Sequence, residues 1–258
     1  MISVFKSNYK AILGELLGSA FISFWGLGFI VPFVVTGYLE NMFEFAIWFG
    51  VAFAITVVVF APISGVHVNP GVTLAWASFG GFDWKLVPFY IVAQIIGWAL
   101  GVVPIYTIYG EKLLEWSLLG NNPSTLFYCN LPSENIMSGA LLEIVMTMLL
   151  TFSIFAFLDN KIPNKPTPSL FPIAIGSVIS LLVAFGGGYT GTCINTARDL
   201  GPRIVGFIYG KTNGFNVSNI FGGVDWIVYI VAPCIGALLG GLFYFKAITK
   251  LLPSKENN

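Results

Sequence analysis

The sequence predicts an all-α membrane protein in which six transmembrane helices and two half-helices meeting at mid-membrane form an inverted 3+3 repeat. Three observations lead there. Charged residues make up 9% of the 258 positions and hydrophobic residues 56%, with a mean hydropathy of +0.84; a soluble domain carries about 25% charged residues. Six apolar runs are long enough to cross ~30 Å of hydrocarbon, near 11–35, 42–61, 86–109, 138–158, 170–187 and 226–247. Two shorter apolar pieces, 69–79 and 195–206, fall in corresponding gaps, and each begins with asparagine.

The first run follows Lys6 and Lys10 as a signal peptide would. It is too long for one, has no small-residue cleavage site, and is followed by further spans. The halves superpose in sequence. Glu15 matches Glu143, Ser64-Gly65-Val66-His67-Val68-Asn69 matches Thr190-Gly191-Thr192-Cys193-Ile194-Asn195, and Gly97 matches Gly236, at offsets of 128, 126 and 139 residues. Three spans per repeat is odd, so the second repeat (126–258) is inverted relative to the first (1–125). Short segments at corresponding places of inverted repeats point to a transport path between them. Gly14, Gly18, Gly97, Gly101, Gly236 and Gly240 make small-xxx-small pairs that allow close helix crossings.

Lysines set the orientation. Lys6, Lys10, Lys85, Lys161, Lys165, Lys246, Lys250 and Lys255 fall at the termini and in the connections after spans two and four. Lys112 and Lys211 fall on the other side, with Glu40, Glu44, Glu111, Glu115, Glu134 and Asp225. Both termini are therefore expected in the cytoplasm, and the stretch 110–137, with Pro123 and Pro132, outside as irregular structure. The net charge of +0 offers no basic stripe for nucleic acid. Cys129, Cys193 and Cys234 lack ligand spacing, so neither a metal site nor a disulfide framework is expected. The sequence also calls for no cofactor.

Asparagine is a strong N-cap, its side-chain oxygen accepting a first-turn N–H. That leaves two amide donors on each of Asn69 and Asn195 free to face a lumen. Two half-helices meeting end to end would point their positive dipole ends at the lumen centre, a field that disfavours cations. A donor-only pair also reorients a passing water or hydroxyl and breaks a proton wire. The backbone at 64–68 and 190–194 is irregular at membrane depth, which is tolerated only where it is buried or lines a wet cavity. Carbonyls of Gly65, Val66, His67, Gly191, Thr192 and Cys193 would form an acceptor ladder opposite an apolar wall.

Ser-Gly-x-His-x-Asn-Pro-Gly-Val-Thr at 64–73 and Thr-Gly-x-x-x-Asn-Thr-Ala-Arg-Asp-x-Gly-Pro-Arg at 190–203 resemble the signatures of the aquaporins and glycerol facilitators, the major intrinsic proteins. The resemblance extends to Glu15, Glu143, Gln94 and Pro233, and Asp199 after Arg198 is typical of the glycerol-conducting branch. It implies a plasma-membrane homotetramer with one pore per subunit, passing glycerol, water and other small uncharged solutes. By the same resemblance Trp48, Val183, Thr192 and Arg198 form the outer selectivity filter. The family's paired Asn-Pro-Ala triplets stand here as Asn69-Pro70-Gly71 and Asn195-Thr196-Ala197. Thr192 replaces the usual aromatic of glycerol facilitators, which implies a wider, more polar filter.

Against these functional readings stand blander ones. Arg198 could be a structural partner of Asp199 or of a span glutamate. Glu15 and Glu143 read as buried acceptors for loop N–H groups, and His67 as a loop brace. Cys193 borders the expected lumen and would be a mercurial target. The rival functions are a water-selective pore, disfavoured by Asp199 and the absence of a filter histidine, and a proton-coupled transporter using Glu15 and Glu143. No nucleophile–base pair suggests an enzyme.

Overall fold

The computed structural model describes residues 2–130 and 135–252; Pro132, Glu134 and Lys255, used above for the loop and the charge balance, lie outside the described residues. Helix α1 (Ile2–Ile22) runs on through two π-turns, Ser23–Leu27 and Val31–Val35, the second holding Pro32. Proline supplies no N–H to the ladder, and an inserted wide turn is a common accommodation. The chain then forms α2 (Met42–Ser64), α3 (Pro70–Phe79), α4 (Val87–Ile108), α5 (Gly110–Ser117), α6 (Ile136–Leu158), α7 (Phe171–Thr190), α8 (Thr196–Asn213) and α9 (Asp225–Phe243). No strand occurs among the described residues.

Six of these helices are long and apolar enough to cross a membrane: α1 with its continuation, α2, α4, α6, α7 and α9. The 23 residues of α2 extend about 34 Å at 1.5 Å per residue, a little more than the hydrocarbon. Its start is fixed by Asn41, whose side chain accepts from the amides of Phe43 (3.0 Å) and Glu44 (3.1 Å), while the Glu44 carboxylate returns to the Glu40 amide at 2.9 Å. Such reciprocal pairing satisfies donors that a helix start leaves open.

Two expectations need correction. The second short piece does not stop at 206: α8 continues to Asn213. The helix mixes charged and apolar residues throughout, with Arg198, Asp199, Arg203 and Lys211 along it, so hydropathy marks no clear end before the Gly214 cap. The stretch 110–137 is not wholly irregular, because it holds α5 and a 3-10 turn at Pro123–Thr125.

The principal crossings are α1 on α4, α6 on α9, and α2 on α7. A Cβ added to Gly97 would strike the Leu16 carbonyl, and one added to Gly236 would strike the Ile144 carbonyl. Gly50 and Gly176 meet likewise across α2 and α7. Bare backbone lets these helices approach where lipid supplies no hydrophobic drive. The half-helices then seat crosswise, α3 against α9 and α8 against α4.

Candidate conduction pore

Helices α2 and α7 end on Gly65 (φ 81°) and Gly191 (φ 74°), left-handed caps that turn the chain back into the membrane. Past each cap the backbone is strained. Val66 (φ 50°), Val68 (φ 43°), Thr192 (φ 46°) and Ile194 (φ 42°) are β-branched residues in the left-handed region, each costing about 1–3 kcal/mol.

Two buried carboxylates hold that backbone. Glu15 accepts from the amides of His67 (2.9 Å) and Val68 (2.7 Å), the Ser64 hydroxyl (2.7 Å) and Gln94 Nε2 (2.7 Å). Glu143 accepts from the amides of Cys193 (2.9 Å) and Ile194 (2.6 Å) and the Thr190 hydroxyl (2.5 Å). Tyr90 donates to the Ser64 carbonyl and Tyr229 to the Thr190 carbonyl, at 2.9 and 2.7 Å. Apart from the Gln94 bond, the same contacts thus occur once in each half.

The asparagines close the seam. Asn69 Oδ1 accepts the Gly71 amide (2.9 Å), and Asn195 Oδ1 accepts those of Ala197 (3.0 Å) and Arg198 (3.3 Å). Asn69 Nδ2 donates to the Ile194 carbonyl at 2.7 Å, and Asn195 Nδ2 donates to the Val68 carbonyl at 2.8 Å. One amide hydrogen of each pair is therefore consumed across the seam. A single N–H per asparagine, not two, remains for the lumen.

An elongated cavity of about 550 Å³ passes this seam. Phe157, Leu158, Lys165 and Pro168 line one end; Phe49, Val183, Thr192 and Arg198 line it elsewhere, beyond the asparagines. One wall is apolar, with Phe53, Val57, Leu150 and Ile179; the other includes the re-entrant stretches from Gly65 to His67 and from Thr192 to Ile194. Lys165 and Arg198 are the charged side chains of the lining.

Trp48 is not part of it. Its side chain is 45% exposed and stacks on Phe29, with ring centroids 5.6 Å apart, whereas Phe49 is buried and lines the cavity. Neighbours on a helix point about 100° apart, so an offset of one residue turns the side chain from lumen to periphery. The 3–4 spacing of Phe45, Phe49, Ala52, Thr56 and Phe60, all buried, was the signal that could have chosen Phe49.

Gly191 also lies outside the lining, its carbonyl facing the Cys129 thiol at 3.9 Å. The Cys193 thiol is fully buried and donates to the Asn195 carbonyl at 3.2 Å; the residue borders the cavity without exposing its sulfur. His67 packs among Trp76, Phe82 and Tyr90, its Nδ1 3.2 Å from the Thr73 hydroxyl.

Arg198 is 5% exposed and has no carboxylate partner among the described residues. Its Nη1 donates to the Phe127 carbonyl at 2.8 Å, and its buried Nε has no partner. Asp199 pairs instead with Arg203 (2.9 Å), one helical turn on. Arg203 also donates to the Cys129 carbonyl (2.7 Å), while the Cys129 amide donates to Asp199 (2.9 Å). This clamp, overlooked in the sequence, fixes the segment whose Phe127 carbonyl holds Arg198.

The family description "Major intrinsic protein" matches residues 3–244. The glycerol uptake facilitator protein of Pseudomonas aeruginosa is 31% identical over 263 aligned positions, covering 96% of this chain and 92% of that protein. Aquaporin-9 of Homo sapiens is 31% identical over 254 positions, covering 95% and 85%. Among solved structures, the aquaglyceroporin from Plasmodium falciparum superposes with a TM-score of 0.79 at 27% identity, covering 95% of this chain and 98% of that one.

Proposed function

Because this chain belongs to the major intrinsic protein family, a family of membrane channels and not enzymes, we propose that it is a passive channel for glycerol, water and related small neutral solutes. The observation that carries this reading is the seam: two asparagines, each with one free N–H, at the starts of two half-helices that converge on one cavity.

A water at the seam accepts from both asparagines. Its own hydrogens then point away from the centre on both sides, and no continuous donor chain crosses. The positive ends of α3 and α8 repel cations at the same place. A polyol passes with its hydroxyl edge on the carbonyls of the re-entrant stretches and its CH edge on Phe53, Val57 and Ile179. Phe49, Val183, Thr192 and Arg198 form the selectivity filter. There the Arg198 guanidinium, held by the Phe127 carbonyl and without a carboxylate partner among the described residues, supplies the positive charge and donors that a passing hydroxyl meets. Glu15 and Glu143 are held by loop donors, which argues against a proton-carrying cycle.

The working unit is a homotetramer in the plasma membrane with both termini cytoplasmic, the lysine-rich face inside. The repeats divide near 125/126. Flux of water, glycerol, urea and a polyol series into proteoliposomes tests the reading: glycerol crosses, and Thr192→Phe lowers the size cutoff. An unchanged cutoff for four- and five-carbon polyols would remove Thr192 from the filter.

A further inference from the structure

Half-helices α3 and α8 begin differently, with Pro70 and Thr196. A proline at the first position fixes φ through its ring. Threonine does not, and besides the Asn195 cap the first turn of α8 has a side-chain contact of its own. The Thr196 side chain is 6% exposed; its Oγ1 donates to the Ile230 carbonyl at 3.0 Å and lies 3.6 Å from Cys234 Sγ. These two groups flank Pro233 in α9. Pro233 has no N–H, so the helix ladder is interrupted at this turn and the carbonyl of Tyr229 is left without its usual donor. The Cys193 thiol lies 4.0 Å from that carbonyl. Residues on both sides of Asn195 therefore meet one interrupted turn of α9.

The other half-helix docks on the same segment. A Cβ placed on Gly71 would sit 3.1 Å from the Pro233 carbonyl and 3.1 Å from Ala237 Cβ, tighter than an ordinary contact and against groups that cannot rotate away. The two residues that follow the asparagines with unusual identities, Gly71 and Thr196, thus face α9 within two turns of each other.

We propose that Thr196 is a positioning residue for solute selection: its hydroxyl anchors the start of α8 to the proline turn of α9 and so places the Asn195 amide and the Arg198 guanidinium relative to the lumen. Gly71 is its counterpart, letting α3 settle on that turn. Both residues act through the asparagines and Arg198 rather than by touching solute. The inference rests on the channel reading above and goes beyond it by adding determinants away from the filter.

The test compares wild type, Thr196→Val and Thr196→Ser in proteoliposomes, reading the ratio of glycerol to water permeability. Valine keeps the shape and removes the hydroxyl, while serine keeps the donor. Thr196→Val is expected to shift the ratio about two- to tenfold, the range set by one neutral buried hydrogen bond, and Thr196→Ser to return it to the wild-type value. A purely structural role would lower both permeabilities together through loss of folded channel; an unchanged ratio in Thr196→Val overturns the proposal. Should Thr196→Val not fold, Gly71→Ala probes the same turn from the other side: a shifted ratio supports the proposal and an unshifted one overturns it. A wild type that passes water but no glycerol would refute the channel reading itself, a result distinct from either.

Discussion

Replacing Glu143 by glutamine is expected to abolish most flux while leaving the protein folded, and the magnitudes say why. The carboxylate binds the amides of Cys193 and Ile194 and the Thr190 hydroxyl. Glutamine keeps one acceptor oxygen and turns the other into a donor, so at least one loop N–H loses its partner. A hydrogen bond to a charged group contributes about 1.5–3 kcal/mol, and a buried N–H left unpaired costs roughly 1–3 kcal/mol more. Against this, the left-handed conformations of Thr192 and Ile194 store about 1–3 kcal/mol each. The two sums are comparable, so the loop relaxes rather than tolerating the mismatch. Relaxation moves the Ile194 carbonyl that binds Asn69 and the Thr192 residue that lines the cavity. The predicted outcome is a stability loss of only about 1–3 kcal/mol in thermal or denaturant unfolding of the solubilised protein. It comes with severe loss of glycerol and water flux per folded channel in proteoliposomes. Full flux together with the larger destabilisation would show that the loop stays put, and no change in either would refute the dependence of this backbone on Glu143.

Three further outcomes follow from the geometry. Phe49→Ala should admit polyols longer than glycerol while Trp48→Ala leaves the cutoff unchanged, because only Phe49 lines the cavity; the reverse pattern would restore Trp48 to the filter. Arg203→Met leaves Asp199 buried without its cation, and such single removals cost about 3–5 kcal/mol; a loss in unfolding experiments below ~1 kcal/mol, the scale of an exposed pair, would contradict the burial seen. Brief exposure to a mercurial should leave water flux intact, since the Cys193 thiol is fully buried; rapid inhibition that disappears in Cys193→Ser would place that thiol in the lumen.

Much of this molecule could be read from its residues because bilayer physics leaves few options. Uninterrupted apolar runs of span length must be helices, and a short run opening on asparagine cannot cross alone. Glu15 and Glu143 sit within such runs, where a carboxylate needs donors, and the re-entrant amides supply them. What escaped the sequence depended on orientation rather than on composition. Trp48 and Phe49 are adjacent aromatics that differ by a rotation of about 100°, and apart from the 3–4 spacing of the buried residues along α2 only the packing of that helix separates them. Gly191 and Gly65 occupy matching places, yet Gly65 lines the cavity while Gly191 lies outside it with its carbonyl towards Cys129. The number of free amide hydrogens on Asn69 and Asn195 depended on the cross-seam bonds to Ile194 and Val68, which link residues more than a hundred positions apart. The clamp of Asp199, Arg203 and Cys129 was hidden for the same reason, as its third member comes from a distant loop.

Stopped-flow light scattering on proteoliposomes containing the wild-type chain tests the central claim most directly. With glycerol as the osmolyte, vesicles should shrink and then re-swell far faster than protein-free controls, at a pH gradient of zero and without net proton leak. Rapid shrinkage with no accelerated re-swelling, or glycerol entry that requires a proton gradient, would contradict it.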